Sequence, residues 1–431
     1  MDLERSGDFL HASLDVATHV FVHSTPKFKT TTVRVMTSSP LDERASWRAL
    51  VPAVLRRGTR ALPSKAELAR ALESLYGASL GYDVVKMGEH QAVIWSLDIV
   101  NERFVRNRNG LCSAGLDLLR DVLLDPVLES GAFRKDYVEQ ERVNLVRFIE
   151  GLINDKVSYA AARMLQEMYR GEPYALYEWG TVESLAHVEP EELYASYRTW
   201  LATLPVDMYV VGELEPEAIV AELAGLLAAG RQAAPAAAGR TSPTPTSAVR
   251  SCVEEQVVSQ SKLVIGCRVD MTAVDDDMFV ALGLMNVLLG GGMHSRLFKQ
   301  VREKESLAYY ATSGLDRLKG CLVISCGISA ENFEKARDIS LRQLEIIAAG
   351  DFGDDELEMS RQTVLNRLRG IPDHPAALID FLASYRAAGR HPTIAEIIER
   401  VTTVSRGELA SAAQRVKPDT IYLMKGTASA S

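Results

Sequence analysis

VESLAHVEPEELYASYRTWLATLPVDMYVVGEL (residues 182–214) and IERVTTVSRGELASAAQRVKPDTIYLMKG (residues 398–426) follow the same pattern at two places in the chain. Each has a short helix, then a Val followed five residues later by a Leu, then a second helix. Pro-x-x-x-Tyr then opens a segment rich in β-branched and aromatic residues. A pattern that recurs at this distance is typical of a diverged tandem repeat. We therefore predict that the two halves of the chain share one fold.

The composition changes between the two copies of the pattern. Residues 226–251, LLAAGRQAAPAAAGRTSPTPTSAVRS, are rich in Ala, Gly, Pro, Ser and Thr in place of periodic apolar residues, which is typical of a linker. We predict an N-terminal repeat over 1–225 and a C-terminal repeat over 252–431. A chain of 431 residues is long enough for two domains that each bury a core.

Each half runs from strands to helices. The segments FKTTTVRVMT and SKLVIGCRVD are predicted as early strands because β-branched residues recur in them. Later strands, HQAVIWSLDIV and GCLVISCGI, precede mainly helical sequence. Strands followed by helices favour an α+β fold of two homologous repeats, each a largely antiparallel sheet with helices packed on one face. A doubly wound parallel sheet fits less well, because no Gly-rich strand-to-helix turn with a downstream acid is present.

Charge and composition exclude several function classes. The net charge of −9 argues against general nucleic-acid binding, which needs clustered Lys and Arg, but it leaves a cationic peptide open. The N-terminal MDLERSGDFLHASL lacks the features of a secretory signal, and no run approaches the roughly 18 apolar residues of a membrane helix. The five cysteines are scattered and form no CxxC pair, so we expect reduced thiols. We therefore expect a cytoplasmic protein without membrane association.

The second half contains LLGGGMHSRLFKQVREKESLAYYATSGL, residues 288–315, which opens with three glycines. Gly290, Gly291 and Gly292 pack no side chain, so a flexible turn or a close backbone approach is their simplest use. A phosphate-binding loop is less well supported, because no Gly-Lys-Ser/Thr follows.

The helix predicted after these glycines places Leu297, Phe298 and Val301 on its buried side. It carries Arg302 on the opposite side and is followed by a strand that contains Tyr309. From composition alone, Arg302 is a solvated surface arginine and Tyr309 a half-buried strand tyrosine.

This segment resembles the C-terminal repeat of the insulinase/pitrilysin-type metallopeptidases, the inverzincins, which carry a similar Gly-rich turn, S-R-L-F, V-R-E-K and L-A-Y. The resemblance extends over nearly the whole chain and includes the two-repeat layout. It implies that Arg302 and Tyr309 bind the peptide carbonyl and stabilise the tetrahedral intermediate. We assign Gly290, Gly291 and Gly292 to substrate binding on the same basis.

Active members of that family carry H-x-x-E-H on a helix of the first repeat, a few residues before Gly-Thr. The two histidines hold zinc, and the glutamate is the general base for the zinc-bound water. Counting back from Gly58 and Thr59, these three positions fall on Ala49, Pro52 and Ala53. None of the three side chains can bind a metal or move a proton.

The third zinc ligand of the family is a Glu that follows another Glu by seven residues. When Glu141 is taken as the first of these, the ligand position falls on Phe148, which we predict to form an apolar stripe with Leu145 and Leu152. The resemblance therefore implies a degenerate zinc site, with no metal and no cofactor bound to this chain.

Two functional hypotheses follow from the resemblance. In the first, the chain is the non-catalytic subunit of a two-chain zinc metalloendopeptidase and is inactive alone. It binds peptide substrate and forms a heterodimer with a zinc-bearing H-x-x-E-H paralogue, or a homodimer where no paralogue exists. PSKAELARALESLYGASLGYDV and LINDKVSYA resemble the bacterial YmfF-type group of this family. In the second, the chain is an inactive structural, assembly or regulatory subunit, and Arg302 and Tyr309 are inherited packing residues.

Overall fold

The computed structural model describes residues 3–106, 110–227, 231–232 and 248–427. Their contacts divide the chain into two compact units. The first unit contains the described residues of 3–150, 176–232 and 371–393, and the second contains those of 151–175, 248–370 and 394–427. Residues 151–175 of the first sequence half therefore belong to the second unit, and residues 371–393 of the second half belong to the first unit. The predicted repeats over 1–225 and 252–431 did not include this exchange.

The described residues form strands and helices in the following chain order. The strands are β1 (Glu4–Ser6), β2 (Phe9–Asp15), β3 (Thr18–Ser24), β4 (Thr30–Pro40), β5 (Ser79–Met87), β6 (His90–Val100), β7 (Leu128–Glu129), β8 (Ala132–Phe133), β9 (Val206–Gly212), β10 (Arg250–Gln256), β11 (Ser261–Val269), β12 (Ala308–Asp316), β13 (Cys321–Ile328) and β14 (Val416–Gly426). The α-helices are α1 (Ala45–Leu55), α2 (Lys65–Ser74), α3 (Leu111–Leu124), α4 (Lys135–Gly151), α5 (Lys156–Met168), α6 (Val182–Leu185), α7 (Pro190–Thr203), α8 (Pro216–Ala224), α9 (Asp276–Gly290), α10 (Phe333–Ala348), α11 (Asp354–Gly370), α12 (Pro375–Ala387), α13 (Ile394–Thr403) and α14 (Arg406–Gln414). A π-helical segment, Phe298–Lys304, lies between α9 and β12.

The first unit is built on a sheet of strand order β1-β2-β3-β9-β4-β6-β5, in which β3 and β9 are parallel and the other pairs antiparallel. Alternate residues of its strands, such as Val33, Leu97 and Met208, are fully buried and belong to one hydrophobic core with Leu50 of α1. This alternation is what a sheet with a helical layer on one face requires.

The sheet of the second unit has strand order β10-β14-β11-β13-β12, with β10 and β14 parallel and the other pairs antiparallel. Its five strands match β3, β9, β4, β6 and β5 in position, direction and chain order. The predicted α+β fold of two homologous repeats is therefore confirmed by the topology.

The two exchanged segments each place a helix on a sheet of the other sequence half. Helix α5 packs on β11 and β14, where Met164 and Met168 form a small core with Val264 and Tyr422. A Cβ on Gly266 would lie 2.4 Å from the Sδ of Met164, so glycine allows this close approach. Helix α5 thus adds a cover on the second face of this sheet.

Helix α12 packs on β9 in the first unit. The Nε and Nη2 atoms of Arg386 donate to the two carboxylate oxygens of Asp207 at 2.9 and 3.0 Å. The guanidinium of Arg386 also lies 4.8 Å from the ring centroid of Phe21. A bidentate ion pair and a cation–π contact therefore hold this helix to its sheet.

The predicted linker over residues 226–251 is described only in part, because 228–230 and 233–247 lie outside the described residues. Its last two residues, Arg250 and Ser251, belong to β10, where they pair with Thr420 and Ile421 of β14. Pairing with a neighbouring strand gives these residues an extended conformation that their composition did not indicate.

Candidate functional site

Arg302 lies on the π-helical segment Phe298–Lys304, where an α-helix was predicted. The N–H of Glu305 donates to the carbonyl of Gln300, five residues back, at 3.2 Å. Leu297 and Val301 are fully buried, as predicted, and Arg302 is exposed. The π-helix is a rare conformation that occurs frequently at functional sites.

Tyr309 lies in a β-bulge near the start of β12. Ala308 pairs with Ile328 and Tyr310 pairs with Gly327, so Tyr309 is an extra residue with no partner on β13. Its side chain is 75% exposed, whereas a half-buried tyrosine was expected from composition. A bulge re-aims a side chain in this way and is over-represented next to active sites.

The backbone brings Arg302 and Tyr309 together. The guanidinium carbon of Arg302 lies 5.9 Å from the ring centroid of Tyr309 and 4.6 Å from that of Phe298. Among the described residues, neither the guanidinium nor the phenol has a hydrogen-bond or ion-pair partner. The pair therefore offers unused N–H and O–H donors to a group that arrives from solution.

Phe298 and the bulge were not identified from the sequence as parts of this site. Phe298 follows the glycines at a spacing that predicted only a buried helix position, and it is partly buried. Ser306, between the π-helical segment and β12, has a φ of 53°, a conformation that few non-glycine residues adopt. No pattern in the sequence distinguishes this turn from an ordinary end of an α-helix.

The three glycines have packing roles of their own. A Cβ on Gly290 would lie 2.3 Å from the backbone nitrogen of Ser313, and one on Gly291 would lie 2.6 Å from the Cα of Val287. Gly290 therefore allows the end of α9 to approach β12 closely, which is one of the two uses expected from sequence. The assignment of Gly290, Gly291 and Gly292 to substrate binding stays a prediction.

Helix α1 contains the three predicted metal positions of the first unit. Ala49 is 1% exposed, Pro52 is buried and Ala53 is half-buried. The helix continues through Pro52, whose carbonyl accepts from the N–H of Arg56 at 3.1 Å. Pro52 also lines a largely apolar cavity of about 60 Å³ together with Trp95.

Phe148 does not form the predicted buried stripe. Leu145 is buried, but Phe148 is 46% exposed and its ring lies 4.8 Å from that of Trp179. Leu152 is only half-buried, because α4 ends at Gly151 and the chain continues as a short 3-10 turn. The stripe prediction was wrong because Val146 and Ile149, and not Phe148, pack against the core beyond Leu145, and because the helix ends before Leu152.

Glu141, the acid used to locate Phe148, is 6% exposed and bound by three donors. It accepts from Lys65 at 2.8 Å, from Arg57 at 3.1 Å and from Asn144 at 3.0 Å. Burial raises the pKa of Glu141, but the hydrogen bonds from Lys65, Asn144 and Arg57, together with the charge of Lys65, outweigh burial and leave this pKa below its usual value. Glu141 is therefore a charged structural residue.

Comparisons with known proteins identify the family. A model of the peptidase M16 inactive domain matches residues 187–364. A Bacillus subtilis protein named as the probable inactive metalloprotease YmfF is 33% identical over 408 residues, which cover 94% of this chain and 95% of that protein. The chain belongs to the M16 peptidase family. The resemblance predicted from its motifs is therefore confirmed.

Solved structures agree with the M16 fold. A conserved protein from Enterococcus faecalis V583 is 26% identical, superposes with a TM-score of 0.89, and the match covers 98% of this chain and 100% of that one. A peptidase M16 inactive domain from Pseudomonas fluorescens is 18% identical with a TM-score of 0.80, over 97% and 98% of the two chains, and shows the fold alone. No helix of the described residues is long and apolar enough to span a membrane.

The zinc of active M16 peptidases does not fit the residues at the four predicted metal positions. Alanine, proline and phenylalanine side chains supply no nitrogen, oxygen or sulfur ligand, which zinc requires. Within the described ranges, no three His, Cys, Asp or Glu side chains are grouped so that they could hold a metal ion. The family's zinc chemistry therefore has no protein ligands at Ala49, Pro52, Ala53 and Phe148.

Proposed function

We propose that this chain is the non-catalytic subunit of a heterodimeric M16 peptidase and supplies peptide binding and oxyanion stabilisation to a partner that carries H-x-x-E-H and zinc. One observation carries the proposal. Arg302 and Tyr309 are adjacent and exposed, and both lie on unusual backbone, a π-helical segment and a β-bulge. Neither side chain has a hydrogen-bond or ion-pair partner in the described part of the chain.

The proposed chemistry uses only donors. A guanidinium and a phenol can both donate to the oxygen of a peptide carbonyl, and their bonds strengthen as negative charge develops on that oxygen. Donors placed at a developing oxyanion lower the barrier by about 3–4 kcal/mol. Arg302 and Tyr309 act on the substrate in this scheme, while the attacking water is activated in the partner chain.

The substrate class follows from the edge position of β12. This strand is the last of its sheet, and Thr312 and Gly314 on it are exposed or half-exposed. An extended peptide can add to such an edge through main-chain hydrogen bonds, which are independent of its sequence. The bulge puts Tyr309 near the start of this edge strand, which supports a role for its phenol in binding the carbonyl of an added peptide.

The test uses the purified chain together with its zinc-bearing paralogue and a fluorogenic peptide. We expect Arg302→Ala to lower kcat of the pair by about 10²- to 10³-fold with assembly unchanged, and Tyr309→Phe to lower it as well. Arg342→Ala is the matched control, because Arg342 is an exposed arginine on α10 of the same unit. Its turnover should equal that of the unmodified pair.

The results separate this proposal from a purely structural role. If the Arg302→Ala pair assembles and turns over peptide at the unmodified rate, the residue has no share in catalysis. An assembly or regulatory subunit would then be the better description. If the unmodified chain does not bind the paralogue in size-exclusion chromatography and does not raise its turnover, the heterodimer itself is refuted.

A further inference from the structure

The other edge of the second sheet is formed by β10, and its outer side pairs with no strand of the described residues. In the first unit the matching strand, β3, is covered by β2 and β1. An uncovered edge exposes a row of N–H and C=O groups that can pair with another chain. The two repeats therefore differ in whether this strand is covered.

Three exposed valines share one face of the β10 region. Val249, Val253 and Val257 are 49%, 60% and 68% exposed, and their spacing of four residues puts all three on the same side of an extended chain. Ser251 and Glu255 lie between them on that face and are also exposed. Valines therefore alternate with polar residues along this exposed face.

The orientation of the backbone N–H and C=O groups shows which residues of β10 can pair with a strand added at the uncovered edge. The carbonyl of Gln256 accepts from Thr427, which follows β14, so this carbonyl points toward β14. Because N–H and C=O groups alternate sides along a strand, those of Ser251, Val253 and Glu255 point away from the sheet. These three residues can form hydrogen-bonded pairs with an added antiparallel strand.

The sequence of β10 is complementary to itself in one antiparallel register. When Val253 faces Val253 of a second copy, Val249 faces Val257 and Ser251 faces Glu255. All three valines then have a valine partner, and no two like charges face each other. A shift of one strand by two residues in one direction opposes Glu254 to itself and sets Val253 against Glu255. A shift by two residues in the other direction sets Val253 against Ser251, so both shifts lose the valine pairs.

Strand β10 has few of the protections that edge strands usually carry. These are proline, charged side chains, above all lysine, a bulge or short length. In this register the charged residues of β10, Arg250, Glu254 and Glu255, face the uncharged Gln256, Cys252 and Ser251 of the second copy. Strand β10 has seven residues with no proline or lysine and pairs with β14 in unbroken register. By contrast, the opposite edge of the same sheet carries the bulge at Tyr309.

We infer that β10 is a homodimerisation edge, at which two copies of this chain pair antiparallel about Val253 and join their second sheets into one continuous sheet. The occupant is a second copy because the register pairs Val253 and its two flanking valines, Val249 and Val257, with valines of the other copy. This surface is separate from Arg302 and Tyr309, which lie at the opposite edge of the sheet, so the inference does not depend on the proposed function.

The first test is the mass of the full chain in solution, measured by light scattering after size exclusion. We expect a dimer for the unmodified chain and a monomer for Val253→Lys. The matched control is Val16→Lys, because Val16 is a 71% exposed valine in the turn between β2 and β3. The control should remain a dimer. An unmodified chain that is monomeric up to its solubility limit, or a dimeric Val253→Lys variant with native circular dichroism, overturns the inference.

The second test is a pair of cysteine variants that reads the register. In a hydrogen-bonded antiparallel pair the opposed Cα atoms are about 5.5 Å apart, which a disulfide can bridge. We expect Val253→Cys to form a covalent dimer under mild oxidation, above the background of the unmodified chain. Ser251→Cys should not, because its copies would be about 13 Å apart along the strand. Equal crosslinking of both variants, or none with Val253→Cys, contradicts this register.

Discussion

Replacing Gly290 by alanine tests the packing that positions the candidate site. The new Cβ would lie 2.3 Å from the backbone nitrogen of Ser313 and 2.5 Å from its Oγ, so α9 and β12 must separate by about 1 Å to restore ordinary contact. Overpacking of this kind costs about 1–3 kcal/mol. The shift also strains the hydrogen bond from Ser313 to Oδ1 of Asn286, now 2.7 Å, which adds about 1 kcal/mol.

The same substitution at another position of α9 should have the opposite sign. A Cβ on Gly283 would meet Arg317 no closer than 3.5 Å, which is ordinary contact. Because glycine inside a helix is less favourable than alanine, Gly283→Ala should stabilise the fold by about 0.5–1 kcal/mol. After the small helical gain at the end of α9 is allowed for, Gly290→Ala should destabilise it by about 2 kcal/mol. The two variants should therefore differ by about 3 kcal/mol.

Urea unfolding can assign this effect to one unit. All four tryptophans, Trp47, Trp95, Trp179 and Trp200, belong to the first unit, so their fluorescence reports on that unit. Far-ultraviolet circular dichroism reports on both. We expect Gly290→Ala to lower the circular-dichroism midpoint more than the fluorescence midpoint. Wild-type stability for Gly290→Ala together with weakened peptide binding would refute the packing argument and would favour the substrate-binding prediction for the glycines.

Two further predictions concern titratable groups of the first unit. Glu141→Gln should lower the unfolding free energy by about 2 kcal/mol at pH 7, because it leaves Arg57 and Lys65 without a buried anion. The pKa of Glu141 lies below its usual value in the folded state, so this loss should shrink as the pH falls through that pKa. A difference in unfolding free energy, followed by fluorescence, that does not change with pH would contradict this prediction. Burial, with a smaller effect of His19, lowers the pKa of His11 to about 4. As the pH falls, the unfolded chain therefore takes up a proton first, and the folded state loses stability between pH 6.5 and 4. His11→Asn should remove about 1–2 kcal/mol of this pH dependence, allowing for solvent screening, and an unchanged pH profile of stability would show that the ring is not involved.

The fold was predicted from the sequence wherever it depends on local patterns. The strand predicted from HQAVIWSLDIV matches β6 residue for residue, because its alternation is regular and polar residues flank it. The repeated Pro-x-x-x-Tyr marks β9 and β14, which take the same place in the two sheets, and Tyr209 and Tyr422 are both 1% exposed. A tandem repeat is recognisable because both copies must bury the same positions.

The exchange of α5 and α12 was not predictable from the same patterns. Helix α5 is clearly amphipathic and α12 only weakly so, and nothing in the spacing of either helix tells which sheet it covers. The information lies in the sheet that receives them. Gly266, for example, is needed only because Met164 and Met168 come from the other sequence half.

The sequence named the two residues of the candidate site but not the backbone geometry that carries them. V-R-E-K and L-A-Y identified Arg302 and Tyr309 through the family, yet helical spacing predicted a regular α-helix where the chain forms a π-helix. A β-bulge adds one residue to a strand, and a π-helix adds one residue to a helical turn. Hydrophobic periodicity over short segments cannot detect such an insertion.

The first repeat contains a position equivalent to Tyr309, which hydrogen bonds of the two repeats identify. The N–H of Ala78 donates to the carbonyl of Leu72 at 3.1 Å, and the N–H of Leu307 donates to the carbonyl of Val301 at 2.9 Å. The two donors are 229 residues apart in the chain, and so are the two acceptors. Strands β5 and β12 begin at the same offset and have nine residues each. The position of Tyr309 then corresponds to Leu80, which pairs regularly with Leu97 and is 5% exposed.

This comparison bears on the choice between a catalytic contribution and inherited packing. In the first repeat two of the four predicted metal positions, Ala49 and Pro52, are buried, and their packing accounts for their residue types. In the second repeat the bulge removes Tyr309 from the core position that Leu80 occupies and leaves it 75% exposed. An exposed phenol beside an unpaired guanidinium gains little from packing, so the argument that explains Ala49 does not explain Tyr309. This difference is the physical reason to test Arg302 and Tyr309 in the assembled pair before treating the chain as a scaffold.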